Sequence, residues 1–152
     1  MVTKTVQRAF QDPVRQFSIF IENKAGRLLE IINLLESHNT HAVALTILDT
    51  TDSSIVRVIF DDPDRAHIIL QEHTIPFNET GVIVVEMNGN IDLQGVLASL
   101  LRAEVNILYA YPFLMRPQEK SALAISVDDS EVAIHALTQG HFRIIHQSDI
   151  AR

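Results

Sequence analysis

The stretch FIENKAGRLLEIINLL, residues 20–35, joins two kinds of hydrophobic periodicity. It opens with the end of the alternating segment FSIFI at 17–21, which predicts a β-strand. From Gly26 onward, apolar residues recur at the spacing of one face of an α-helix. They are Leu28, Ile31, Ile32 and Leu35. The turn at 23–26 is either a plain tight connection or a place where the backbone approaches a ligand.

The rest of the chain continues this pattern and then repeats it. The first copy goes on with hairpin strands at 41–48 and 54–60, a helix that starts at Asp62-Pro63, and a short closing strand at 74–78. The second copy follows in the same order. Its predicted elements are a strand at 81–87, a helix from Leu93 to Leu101, hairpin strands at 105–115 and 121–127, a helix from Asp129 to Gly140 and a strand at 141–147.

Matching residues also relate the two copies. At an offset of 65 residues, the first strand-to-helix segment matches the second. The matched residues are Asn23, Leu28, Ile31, Ile32 and Leu35 with Asn88, Leu93, Val96, Leu97 and Leu100. After the hairpin the offset is 67, which indicates a hairpin loop two residues longer in the second copy. These later matches are Asp61, Asp62, Ala66 and Leu70 with Asp128, Asp129, Ala133 and Leu137.

The repeat predicts an α+β protein made of two tandem ferredoxin-like βαββαβ domains with antiparallel sheets. We expect an N-terminal extension at 1–14, a first domain at 15–80 and a second domain at 81–152. Each sheet then carries two helices on one face.

Composition excludes several classes of function. The chain has 152 residues, a net charge of −7 and no cysteine. No Lys/Arg-rich cluster is present, which argues against nucleic-acid binding. No apolar run approaches the roughly 18 residues of a membrane span, and no signal peptide is visible at the N-terminus. We therefore expect a cytoplasmic protein without a membrane or nucleic-acid partner.

The turn Asn23-Lys24-Ala25-Gly26-Arg27-Leu28, within a tandem βαββαβ pattern, resembles the fingerprint of the ACT domain family. That fingerprint has Asn or Asp, two residues, Gly, and a hydrophobic residue two positions later. Ala25 stands where the family usually has Pro. The resemblance covers about residues 15–150 and is greatest to small stand-alone bacterial proteins made of two ACT domains. It implies a non-catalytic regulatory module that binds a free amino acid and reports it to an enzyme or transporter.

The residues of the turn support a ligand site independently. A helix N-terminus presents unpaired N–H groups and a partial positive charge, which suits a carboxylate. Gly26 has no Cβ in the way, the Asn23 amide offers a donor and an acceptor, and Lys24 or Arg27 adds charge. The predicted ligand-binding residues of this turn are Asn23, Lys24, Ala25, Gly26, Arg27 and Leu28.

The second turn departs from this pattern. Ile91 places a branched side chain where close approach is needed, and Asn90 or Asp92 is the expected helix cap. Gly95, inside the helix, is expected to be a packing residue. The resemblance still implies a contribution of the second domain, because paired ACT domains often hold ligands at their mutual interface. The candidates outside the first turn are Thr46, Asn88, Tyr109 and Tyr111.

Two other functions stay open. One is a protein-interaction module of the same fold without a small ligand, and the other is a small enzyme on a ferredoxin-like fold. No GxSxG, P-loop or GxGxxG motif is present, and the seven histidines lack metal-site spacing. We therefore predict no catalytic residues, no metal and no cofactor. A homodimer is expected.

Overall fold

The computed structural model of the chain describes residues 12–22, 26–50 and 53–151. The chain divides into two compact units. The first is Arg15–Thr80, and the second joins residues 12–14 with Gly81–Ile150.

The first unit follows the order strand, helix, strand, strand, helix, strand. Its sheet has the order β2-β3-β1-β4, with β3 antiparallel to both β1 and β2. This is the predicted split βαβ arrangement. The elements are β1 (Val14–Glu22), α1 (Arg27–Glu36), β2 (Ala42–Asp49), β3 (Ser53–Phe60), α2 (Pro63–Glu72) and the start of β4 (Phe77–Met87).

Three aromatic rings fill the first core, between the sheet and one face of each helix. Phe17 meets Phe60 edge to face, with ring centres 5.3 Å apart, and lies 5.7 Å from the ring of Phe77. Ile31 from α1 and Leu70 from α2 are buried against this cluster. The helical periodicity that begins at Gly26 therefore positions α1 over the sheet, as predicted.

The second unit repeats the same order of elements. Its sheet has β6 between β4 and β5, and β7 pairs with the other edge of β4. The core is aliphatic, built around Val85, Val96, Leu100 and Leu137. The elements after β4 are α3 (Asn90–Arg102), β5 (Ile107–Pro112), β6 (Ser121–Val127), α4 (Ser130–Gln139), β7 (Ile144–Ile145) and α5 (Gln147–Ile150).

Two details of the elements differ from the sequence-based expectation. Strand β4 runs unbroken from Phe77 to Met87, where a closing strand and a new strand were expected. Gly81 lies inside this strand without interrupting it. An added Cβ at Gly81 would meet Pro13 at 3.6 Å, an ordinary contact distance. The helix face expected to be buried in α3 is only half buried. Its exposed members are Leu93, Leu97 and Leu101.

Paired aspartates hold the same place in both units. The Asp61 carboxylate accepts the backbone N–H of His41 at 2.8 Å, and the Asp61 N–H donates to the His41 carbonyl at 3.1 Å. Asp128 makes the same pair of bonds with Asn106, each at 3.1 Å. The aspartate thus ties the start of the second strand of each unit to the end of the third.

The next aspartate in each pair caps a helix. Asp62 accepts the N–H of Arg65 at the start of α2, and Asp129 accepts that of Val132 at the start of α4. The sequence predicts helix starts at Asp62 and at Asp129, and the structure confirms both.

We predict that Asp61→Ala lowers the free energy of unfolding by about 1–3 kcal/mol, because the partly buried N–H of His41 loses its acceptor. Urea denaturation followed by far-ultraviolet circular dichroism measures this change. Glu72→Ala, at an exposed position of α2, is the matched control and should stay within about 0.5 kcal/mol of the parent. Equal effects of the two substitutions would contradict the role of Asp61.

We also predict a pH-dependent contribution from Asp128. Hydrogen bonds from the Asn106 side chain and backbone lower the pKa of Asp128 below its ordinary value of 3.8. The stabilisation is therefore fully present above about 3.8 and is lost as the pH falls through the lower folded-state pKa. The stability difference between the parent and Asp128→Asn should stay constant at neutral pH and shrink in acid. Tyrosine fluorescence reports this unit, since both tyrosines of the chain, Tyr109 and Tyr111, lie in β5. A difference that does not change with pH would refute this prediction.

Candidate functional site

The predicted binding turn falls partly outside the described residues. Asn23, Lys24 and Ala25 lie outside them. Gly26 is described and immediately precedes α1, with φ 93. That left-handed conformation is one that glycine adopts readily and a branched residue does not.

The N-terminus of α1 is open with respect to the described residues. Gly26 stands at the N-cap position, and no side chain of these residues caps the helix. An added Cβ at Gly26 would meet none of their atoms within 4 Å. The Gly26 carbonyl accepts the N–H of Glu30 at 2.9 Å, which closes the first turn. The amides of the first turn point out of the helix end.

The next two predicted residues have different surroundings. Arg27 is exposed and forms an ion pair with Glu30, one helical turn away, at 3.2 Å. Leu28 is half buried and packs against the first core. Arg27 thus places a positive charge beside the helix N-terminus, and Leu28 anchors the turn.

Thr46 lies away from this turn. It is directly opposite Arg57 in the β2–β3 register, and Arg57 is opposite Ser18. Since Val56 and Val58 face the helices, Thr46 lies on the other face of the sheet. Ser18 precedes Glu22, the end of β1, by four residues, which is roughly 13 Å of strand. The structure does not bring Thr46 and Gly26 together, and a shared site stays a prediction.

The second turn is built differently. Gly89, with φ 125, is at the N-cap position of α3, so the expectation that Asn90 or Asp92 caps the helix is wrong. Asp92 instead lies in the first turn of α3, and its carboxylate accepts the backbone N–H of Asn88 at 2.7 Å. The Asn88 side-chain oxygen accepts a hydrogen bond from Lys120 at 3.3 Å. This helix N-terminus therefore already has a carboxylate of its own.

Strand register shows that the two turns differ in length. Ile21 pairs with Ser54, and Met87 pairs with Ser121. The serines are 67 residues apart, as expected for this part of the repeat, but Ile21 and Met87 are 66 apart. The first strands of the two units therefore correspond at an offset of 66 residues.

The helices that follow keep the offset of 65, since buried Ile31 corresponds to buried Val96. The second turn is one residue shorter than the first as a result. By register Asn88 corresponds to Glu22, and the predicted match of Asn88 with Asn23 is wrong. The apparent match arose because sequence alignment cannot place a one-residue deletion inside a short turn.

The two tyrosines of β5 stack on one face of the second sheet. Their rings are 6.4 Å apart and within 18° of parallel. Tyr111 is buried and pairs with Ala124, and Tyr109 pairs with Ser126. Ala124 and Ser126, the residues paired with the tyrosines, are small and leave room for the stacked rings. A ligand contact of either tyrosine stays a prediction.

The carboxylates and histidines considered for chemistry are in structural contacts. Glu86 accepts a hydrogen bond from Arg143 at 2.9 Å, and His41 meets Asp61 at 2.9 Å. Within the described ranges, no three His, Cys, Asp or Glu side chains form a cluster that could hold a metal ion. Gly95 packs against Phe142, where an added Cβ would come within 2.8 Å of the ring, so its expected packing role is confirmed.

Sequence reasoning missed a charged cluster in the first unit. The Arg15 guanidinium contacts the carboxylates of Glu79, at 2.6 Å, and Asp64. His67 contacts the other oxygen of Glu79 at 2.5 Å. Partial burial alone would lower the pKa of Arg15, but hydrogen bonds and charge attraction with Asp64 and Glu79 raise it. One signal was visible in the sequence: Arg15 lies two residues before Phe17, and so on the face of β1 that turns to the core.

Comparison with known proteins identifies the family. The family model for an ACT domain pair matches residues 13–152. Protein BT0572 from Bacteroides thetaiotaomicron is 30% identical, with a TM-score of 0.83, and the match covers 92% of this chain and 96% of that one. The chain therefore belongs to the ACT domain pair family. ACT domains are regulatory modules that bind amino acids, and pairs of them are usually non-catalytic.

More distant structures share the fold. The ligand-free regulatory subunit of aspartate kinase from Thermus thermophilus has a TM-score of 0.56 at 12% identity, over 85% of this chain and 93% of that one. The corresponding subunit from Thermus flavus has a TM-score of 0.56 at 13% identity, over 86% and 93%. No curated protein matches the sequence. No helix in the described part of the chain is long and apolar enough to cross a membrane.

We predict that Asp92→Ala destabilises the second unit by about 0.5–2 kcal/mol, because the Asn88 N–H loses its acceptor and the N-terminus of α3 loses a favourable charge. Tyrosine fluorescence during urea unfolding measures the loss. Asp92→Asn, which keeps an acceptor oxygen but removes the charge, should fall between the parent and Asp92→Ala. Parent-like stability of the alanine variant would refute the contact.

Proposed function

We propose that this chain is a non-catalytic regulatory module that binds a free amino acid at the turn before α1. The observation that carries the proposal is Gly26, a left-handed glycine at a helix N-terminus, where an added Cβ would meet no described residue within 4 Å. Membership of the ACT domain pair family supports amino-acid binding in general. The proposed partner is an enzyme or transporter whose activity the bound state modulates.

The charges around the turn suit a zwitterion. The helix N-terminus carries a partial positive charge of about half a unit and offers N–H donors to a carboxylate. Arg27 adds a cation at the edge of the same surface, and Glu30 lies 3.2 Å from it with an exposed carboxylate. A bound amino acid then directs its carboxylate to the helix end and Arg27, and its ammonium to Glu30. Asn23, Lys24 and Ala25 complete the proposed site.

We propose one such site per chain. At the second turn the Asp92 carboxylate already accepts the N–H of Asn88, at 2.7 Å. A ligand carboxylate there meets repulsion from Asp92. The shorter turn and the exposed Ile91 side chain also differ from the first site. A contribution of Thr46, Asn88, Tyr109 or Tyr111 at an interface between the two domains stays a prediction.

A protein-interaction module without a small ligand is the second candidate. The exposed apolar side chains of α3 favour it. Ile91 is 86% exposed and Leu101 is 77% exposed, on a helix with few charges. Exposed apolar residues in this number often mark a protein contact. Both candidate functions include a homodimer located in the cytoplasm. The absence of cysteine from the sequence is compatible with that reducing compartment.

We predict that one of the twenty amino acids raises the melting temperature of the protein and binds with a stoichiometry of one per chain in calorimetry. Gly26→Val should weaken that binding by about tenfold or more, because its branched side chain would occupy the space at the helix end where the ligand is proposed to lie.

Glu36→Val is the matched control, since it adds the same side chain at an exposed position at the other end of α1. Circular dichroism verifies that both variants are folded. Unchanged affinity in Gly26→Val would move the site elsewhere. No response to any amino acid would reject the proposal and favour the interaction module. A stoichiometry of two ligands per chain would contradict only the proposal that Asp92 prevents binding at the second turn.

A further inference from the structure

The second unit contains an apolar pocket that the proposed function does not use. Its volume is about 150 Å³. The walls are aliphatic side chains, each less than 9% exposed. They include Val82, Ile83, Ile134, Ile144 and Ile145. The rim is formed by Pro13, Gly81 and Ser130, which are exposed. The pocket therefore has a buried apolar interior and a mouth at the surface.

Strand register identifies the corresponding place in the first unit. Phe17 pairs with Val58, and Ile83 pairs with Ile125, so Ile83 takes the place of Phe17. Gly81 then takes the place of Arg15, two residues earlier on the same face of the strand.

The neighbouring elements correspond in the same way. The N–H of Phe20 donates to the carbonyl of Pro76, and the N–H of Glu86 donates to that of Arg143, both within 3.0 Å. Ile144, the residue after Arg143, thus takes the place of Phe77. The Asp62 and Asp129 caps align α2 with α4, which places Ile134 where the first unit has His67.

Large or charged side chains fill this place in the first unit. The Arg15 guanidinium contacts Glu79, which contacts His67, and the ring of His67 meets Phe77 edge to face at 5.1 Å. The second unit has Gly81, Ile134 and Ile144 at the corresponding positions. The exchange of Arg15 for Gly81 removes a guanidinium, and Gly81 and Ile144 are smaller than Arg15 and Phe77, so this place is filled in the first unit and carries a pocket in the second. At the same offset of 67 residues, His146 takes the position of Glu79 and Glu131 that of Asp64.

We infer that this pocket is a second ligand site, specific for a small, neutral, aliphatic group. A cavity of about 150 Å³ with aliphatic walls accommodates a hydrocarbon the size of benzene. A charged group is excluded, because its burial among aliphatic side chains has no compensating partner. Ser130, whose side chain carries the hydroxyl among the described rim residues, is placed to meet a polar end of the ligand at the mouth.

The probe is 2-methylpropan-1-ol, which has a branched apolar body and a neutral hydroxyl. The full chain, with isoleucine δ1 methyl groups labelled with ¹³C, is titrated and followed by nuclear magnetic resonance. We expect saturable shifts of the methyls of Ile83, Ile134, Ile144 and Ile145, with the methyls of the first unit unchanged. The corresponding ammonium compound, 2-methylpropan-1-amine at neutral pH, should produce no saturable shift.

Ile83→Phe restores the residue of the first unit and should weaken binding of the alcohol by about tenfold or more, since the ring takes the space of the probe. Val132→Phe adds the same ring at an exposed position of α4 and should bind as the parent does. If Ile83→Phe does not fold, Ile134→Phe serves the same purpose. Absence of saturable shifts in the parent overturns the inference, as does equal binding by the pocket-filling and control variants. Neither result depends on whether an amino acid binds before α1.

Discussion

The unpaired amides at helix N-termini are the constraint that organises this chain. Each of the four long helices must satisfy the N–H groups of its first turn. Helices α2 and α4 do so with Asp62 and Asp129 at the N-cap, directly after a strand. Helix α3, like α1, has no side-chain cap within the described ranges, but the carboxylate of Asp92 in its first turn accepts the N–H of Asn88 just before the helix. Helix α1 starts at Gly26 without a capping side chain from the described residues. The proposed function follows from this difference, since an incoming carboxylate can take the role that aspartates have elsewhere.

The two units share backbone hydrogen bonds at Asp61 and Asp128 but differ in their core side chains. Asp61 and Asp128 make the same backbone bonds in both units, because the path from the second strand to the third depends on them. The cores have diverged. Rings of Phe17, Phe60 and Phe77 fill one, and aliphatic residues build the other. Hydrogen-bonded positions are constrained by direction and distance, whereas core positions tolerate exchange of hydrophobic side chains if the packing adjusts.

The sequence predicted the order of elements, the fold class and the family, because those depend on hydrophobic period and on repeated turn residues. The sequence did not predict the lengths of the turns or the burial of individual side chains. The one-residue difference between the two turns was invisible, since Asn88 and Asn23 align by identity while strand register aligns Asn88 with Glu22. Leu97 and Leu101 have the period of a core face, yet among the large apolar side chains of α3 only Val96 and Leu100 are buried. Periodicity predicts which face of a helix is apolar but not how much of that face the neighbouring elements bury. The ion cluster of Arg15, Glu79 and His67 joins residues far apart in the chain, which no local pattern reports.

The net charge of the chain bears on how a ligand would be recognised. At −7, the protein repels free anions at long range, and screening confines that repulsion to about 8 Å at physiological ionic strength. An amino acid is a zwitterion without net charge, so the global field neither attracts nor repels it. Discrimination then depends on short-range contacts at the turn, where the helix end and Arg27 are positive and Glu30 is negative. A simple carboxylate has no ammonium group for Glu30, and its net negative charge is repelled by the acidic protein. In the proposed site, an acidic protein with a local positive helix end would therefore favour zwitterions over other small carboxylates.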